Sequence, residues 1–171
     1  VDHRCGPGRS RRSAAGCAGQ LTEGVETRCR HGFRGFYCMR GHGGSTGPAE
    51  VAASDLLSAR GDLQWYWRCW WEHAEVKALE DELLGEANGD HDTAAEISIT
   101  MHLHPGAVTP CEPLPIERPE HEWPISPEAF RATFPDGRMY GDPSLASEEK
   151  GKRLFDLCVR LFGNELERLT S

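Results

Sequence analysis

His91 and Glu96 stand five residues apart in GDHDTAAEIS, and His42 sits between glycines in MRGHGGSTGP. Imidazole takes and gives protons near neutral pH, and it is a common metal ligand. A histidine in such a turn can hold a ligand or move a proton, or it can be a surface group that the turn tolerates. Glu96 also has a structural reading. Thr93 and Glu96 have the S/T-x-x-E spacing of a capping box, in which the two side chains satisfy backbone N–H groups at a helix start. His102 and His104 read as incidental, one facing solvent and one at a helix end where a cation is favoured. The turn at His42 has neither G-x-G-x-x-G nor the Walker lysine, which argues against a nucleotide site.

Positioning these residues requires a frame. FRGFYCM, from Phe33 to Met39, has the aromatic and apolar content of a short strand, and RGHGG ends it with glycines that permit close backbone approach. A helix follows from Pro48 to Gly61, with Val51, Leu56 and Leu57 on its apolar face. His42 thereby falls at the carboxyl end of a strand, where open α/β sheets hold their ligands. LQWYWRCWW, from Leu63, reads as a buried strand with its tryptophans in the core.

EVKALEDELL then has helical spacing with an acidic, solvated face. The stretch from Ala94 to Leu103 starts as a helix behind its capping box, although Ile97, Ile99, Met101 and Leu103 also alternate like a strand. The proline-rich TPCEPLPIERPEHEWPISP is a long loop, and Ser147 caps a last helix with Leu154, Leu157, Cys158, Leu161, Phe162 and Leu169 as its buried stripe. Helices and strands alternating around a glycine turn predict an α/β layered domain.

With 171 residues the chain is long enough to bury a core without staples. No apolar run approaches the roughly 18 residues of a membrane span, and the expected location is the cytoplasm. A net charge of -8 excludes nucleic acid as a general partner. Arg4, Arg9, Arg11, Arg12, Arg28 and Arg30 crowd the start, which reads as an irregular end and not as an RNA-binding arm. Seven cysteines, an odd number with no C-x-x-C pair, point to reduced thiols.

Three segments in order resemble the creatininase family of metal-dependent amidohydrolases. HGFRGFYCMRGHGGST is similar to that family's strand and N-G-H-G-G-N turn, HDTAAEIS to H-A-G-x-x-E-T-S, and PDGRMYGDPSLASEEKGKRL to its G-D-P-x-x-A-x-x-E-K-G ending. The resemblance implies a three-layer α/β/α sandwich with a mostly parallel sheet. It further implies metal ligation by His42 and Glu96, with His91 as the catalytic histidine that shuttles a proton beside the substrate. The implied cofactor is a divalent metal: zinc, manganese or iron. The implied reaction is hydrolysis of a C–N amide bond in a small or cyclic substrate by a homo-oligomer, a hexamer.

The sequence departs from the pattern at several places. Arg40 and Ser45 stand where the family's turn has Asn, Thr93 replaces a Gly, and Ile97 replaces a Thr. The family's upstream E-x-H segment and Asp have no counterpart in residues 1 to 30, which are read as an irregular basic lead-in to a creatininase-like domain over 31 to 171. The expectation is a truncated or frame-shifted chain whose sandwich lacks its N-terminal strand or strands. The alternative to an amidohydrolase is a non-catalytic remnant of the fold that acts only in assembly.

Overall fold

A computed structural model describes residues 13–122 and 125–170. The chain divides into two compact units, Val1–Trp70 and Trp71–Ser171.

In the first unit Ser13 opens helix α1 (Ala14–Arg30), its hydroxyl accepting the Gly16 N–H at 3.0 Å. This helix overturns the irregular reading for residues 14 to 30, while residues 1 to 12 fall outside the described residues. Ala18, Val25 and Cys29 share one buried side at helical spacing, a stripe diluted in the sequence by Gly16, Gly19 and Gly24, which lower helix propensity. Arg28 and Arg30 of the basic cluster lie in the last turn, where cations offset the negative end of the dipole. Arg4, Arg9, Arg11 and Arg12 fall outside the described residues.

Gly32, at φ 93°, turns the chain into strand β1 (Gly35–Arg40). Helix α2 (Thr46–Ala59) then supplies the crossover that a parallel pair requires, leading to β2 (Gln64–Cys69). The two strands pair parallel, Phe36 opposite Trp65 and Cys38 opposite Trp67. Phe36 joins Val25 and Cys29 of α1, Leu56 of α2 and Leu63 in one buried cluster, so both helices cover the same face of the sheet. The α/β reading with a parallel sheet holds. The tryptophans expected in the core do not fill it: Trp65, Trp67, Trp70 and Trp71 are half-buried, and smaller side chains occupy the enclosed positions.

The second unit is helical. His73 caps α3 (Ala74–Leu83), and a short turn from Gly85 to Asn88 leads to α4 (Ala94–Leu103). Residues 97 to 103, open between helix and strand in the sequence, are helical because the capping box at Thr93 fixes the entry. The proline-rich stretch has no regular structure over residues 109 to 122, and Ser126 caps α5 (Pro127–Thr133), a helix that begins at the last residue of the predicted loop and that the sequence reading did not identify. Helix α6 (Glu148–Thr170) packs along α4 and α3 and encloses Leu154, Val76 and Ala94. Full burial of a Leu or Val contributes roughly 1.5–3 kcal/mol each. None of the described helices is long and apolar enough to cross a membrane.

Candidate active site

His42 follows β1 directly, as its strand, turn and helix pattern predicts. It caps a short 3-10 turn (Gly43–Ser45), with Nδ1 accepting the Gly44 N–H at 3.0 Å. Arg40, which replaces the family's Asn, is buried and donates from its guanidinium to the Thr46 hydroxyl, which in turn donates to the Gly43 carbonyl at 2.8 Å. The turn is therefore braced through Thr46, in place of the bonds that an Asn would make.

His91 and Glu96 belong to the second unit. Both halves of the capping box are present: the Thr93 hydroxyl accepts the Glu96 N–H at 3.1 Å, and Glu96 Oε2 accepts from the Thr93 N–H at 3.1 Å. His91 lies just before the cap, with its side chain 18% exposed and its ring edge-on to Phe130, centroids 6.2 Å apart. Its Nε2 is 3.7 Å from Asp92 Oδ1.

The G-D-P segment of the tail holds this pair from behind. His91 and Met139 form an antiparallel bridge, Met139 donating to the His91 carbonyl at 3.2 Å and accepting from Asp90 at 2.9 Å. Gly89 (φ 79°) and Gly141 make the approach possible, since a Cβ on Gly89 would lie 2.5 Å from the Met139 carbonyl oxygen. Asp142 donates its N–H to the Ala87 carbonyl at 2.9 Å, and its carboxylate accepts from Ser144 and Leu114. Ser147 N–H reaches the hydroxyl of the enclosed Ser98 at 3.1 Å. Two of the three segments seen in the sequence are thus one packed structure.

One residue the sequence reading missed is Glu80. The acidic run of α3, expected to be solvated, is so at Glu75, Asp81 and Glu82, whereas Glu80 is buried. Burial pushes its carboxyl up to about 7, with Asp81 and Glu96 adding to the rise and the Asn88 amide and Lys77 opposing it. Asn88 also uses its side-chain oxygen to accept the Ala95 N–H at 2.9 Å, linking Glu80 to the start of α4. Periodicity offered one signal: Val76, Glu80 and Leu84 stand at helical spacing, and all three are buried.

The fit of this arrangement to a metal ion can be judged from its donors. A histidine that ligates a metal ordinarily donates its other ring N–H to an acceptor, whereas His42 Nδ1 accepts an N–H, which leaves the proton of the neutral ring on Nε2. Glu96 has one carboxylate oxygen engaged by Thr93, through both N–H and hydroxyl. Among the described residues no three His, Cys, Asp or Glu side chains converge as a metal site would need.

The described residues form a parallel α/β unit and a helical unit that carries the tail-braced histidine–glutamate segment. The sequence model of one family, described as creatininase, creatinine amidohydrolase, matches residues 2–165, and the chain belongs to that family. The match starts at residue 2, ahead of the boundary at residue 31 expected from the sequence. A crystal structure of creatinine amidohydrolase (creatininase) is similar with a TM-score of 0.74 at 21% identity, over 96% of this chain and 67% of that one. A structure described as creatininase Mn gives 0.72 at 21% identity, with the same coverage. A mutant creatininase complexed with creatine gives 0.71 at 21% identity, over 96% of this chain and 68% of that one. No curated protein matches the sequence.

Proposed function

We propose that the chain acts as a creatininase-type, metal-dependent amidohydrolase that hydrolyses a C–N amide bond in a small or cyclic substrate. The observation that carries this reading is the family match over residues 2–165. His91 serves as the proton-transfer residue: it is partly shielded, fixed by its bridge to Met139, and of the type that can protonate a departing nitrogen at neutral pH. His42 and Glu96 are the proposed ligands of zinc, manganese or iron. The similarity to a structure described as creatininase Mn supports a divalent metal. For His42 to join such a site its ring must release the Gly44 N–H, whether it binds through Nδ1 itself or through Nε2 with the proton moved to Nδ1. Homo-oligomeric assembly, as a hexamer, and a cytoplasmic location belong to the same reading.

A second reading, a non-catalytic chain that keeps the fold and acts in assembly, is favoured by the donor geometry of His42, whose Nδ1 is engaged with its own turn. One assay separates the two. The chain is loaded with zinc or manganese, its metal content is measured, and it is offered creatinine and a panel of cyclic and formyl amides beside His42→Ala, His91→Ala and Glu96→Ala. Turnover that needs metal and is lost in all three variants supports the enzyme; an empty chain without turnover supports the remnant.

A further inference from the structure

The two non-glycine residues with positive φ among the described residues flank the same backbone bridge. Asp92 (φ 51°) follows His91, and Tyr140 (φ 63°) follows Met139, the two residues that pair. A left-handed conformation is uncommon for Asp and a true outlier for a bulky aromatic residue, and it persists only where the surroundings over-determine it.

The surroundings here do so. The Tyr140 hydroxyl lies 3.1 Å from His121 Nδ1, its ring stands edge-on to Phe134 at 5.7 Å, and the Arg118 guanidinium lies 5.5 Å from the ring centre. Phe134 packs on Phe130, which meets the His91 ring. On the other side, Asp92 turns the chain sharply from the bridge into the extended Thr93 cap, and its carboxylate ends near both His91 Nε2 and Gly137. Each left-handed residue ends the bridge after a single pair, so His91 cannot slide along Met139.

We infer that Asp92 and Tyr140 are positioning residues that hold the His91 imidazole in one orientation through backbone strain. The consequence for turnover rests on the amidohydrolase reading above, whereas the orientation itself does not. Misplacing a reacting group by about 1 Å can cost 100-fold in rate, so loss of positioning is read in kcat.

The test uses the full chain and the variants Asp92→Gly and Tyr140→Gly, which relieve the strain, with Asp92→Asn, which tolerates the left-handed backbone without the charge. The His91 ring is followed by carbon–proton correlation NMR, and kcat, KM and Tm are measured in parallel. In the unmodified chain His91 gives one sharp ring signal. In both glycine variants that signal splits or broadens, kcat falls by about tenfold or more and KM stays within about twofold; Tm holds in Asp92→Gly and falls in Tyr140→Gly, which also loses its ring contacts, while Asp92→Asn recovers most of the loss. An unchanged His91 signal in both glycine variants would overturn the inference, as would a loss in Asp92→Asn equal to that in Asp92→Gly. If the ring signal responds as described but the unmodified chain turns over nothing, positioning stands and the amidohydrolase reading falls.

Discussion

Gly151 of α6 rests directly on the backbone of Ser98 in α4: a Cβ at residue 151 would come 1.9 Å from the Ser98 carbonyl oxygen. Both partners are rigid helix backbone, so the contact can be relieved only by separating the helices. Gly151→Ala is therefore expected to destabilise the second unit by about 3 kcal/mol, a fall in Tm of several degrees by calorimetry. An unchanged Tm would contradict the helix contact described.

Glu96 has two separable roles. Glu96→Gln can retain the capping box, because Gln also fits the third helical position, whereas Glu96→Ala loses it at a cost of about 1 kcal/mol. If Glu96 also ligates a metal, Gln weakens zinc or manganese uptake as much as Ala does. Melting curves and metal titrations of the two variants, compared side by side, give the answer.

Glu80 predicts a pH-dependent stability. Its folded pKa, about 7, lies above the ordinary value of 4.5. The unfolded chain thus gives up this proton first, and stability from the neutral carboxyl, full below about pH 4.5, is lost as pH rises through 7. Glu80→Gln is expected to raise Tm at pH 8, by on the order of 1 kcal/mol of stability, and to leave it almost unchanged at pH 4. Equal effects at both pH values would show that Glu80 is already charged in the fold.

The capping role of His42 can be tested by nitrogen NMR. In the metal-free chain the ring proton resides on Nε2, with Nδ1 accepting from Gly44. Zinc bound through Nε2 must release the Gly44 amide, whose hydrogen exchange then quickens. Zinc bound elsewhere leaves both signals as they were.

Much of this arrangement was legible from spacing. The helix at Ala94 follows from Thr93 and Glu96, because a capping box is a local device whose partners are close in sequence. The strand, turn and helix around His42 read correctly for the same reason. Helix α1 did not, since its stripe of Ala18, Val25 and Cys29 is interrupted by glycines that tertiary packing against Phe36 and Leu56 overrides. Glu80 was hidden by its charged neighbours: polarity alone predicts exposure, and only the packing of α3 on α6 buries it. The left-handed conformation of Tyr140 has no sequence signature, because an aromatic residue is among the last expected there.

The glycine contacts between residues 88–91 and 139–141, and between Ser98 and Gly151, join stretches that the proline-rich segment separates along the chain. That segment has no regular structure from residue 109 to 122. A peptide bond cut at the exposed Glu112 should thus leave two fragments that stay together and can be mixed from separate preparations to rebuild the His91 loop. A side chain added at Gly89 or at Gly141 would meet backbone of the opposite fragment, so a substitution in either half alone should stop the two from rejoining.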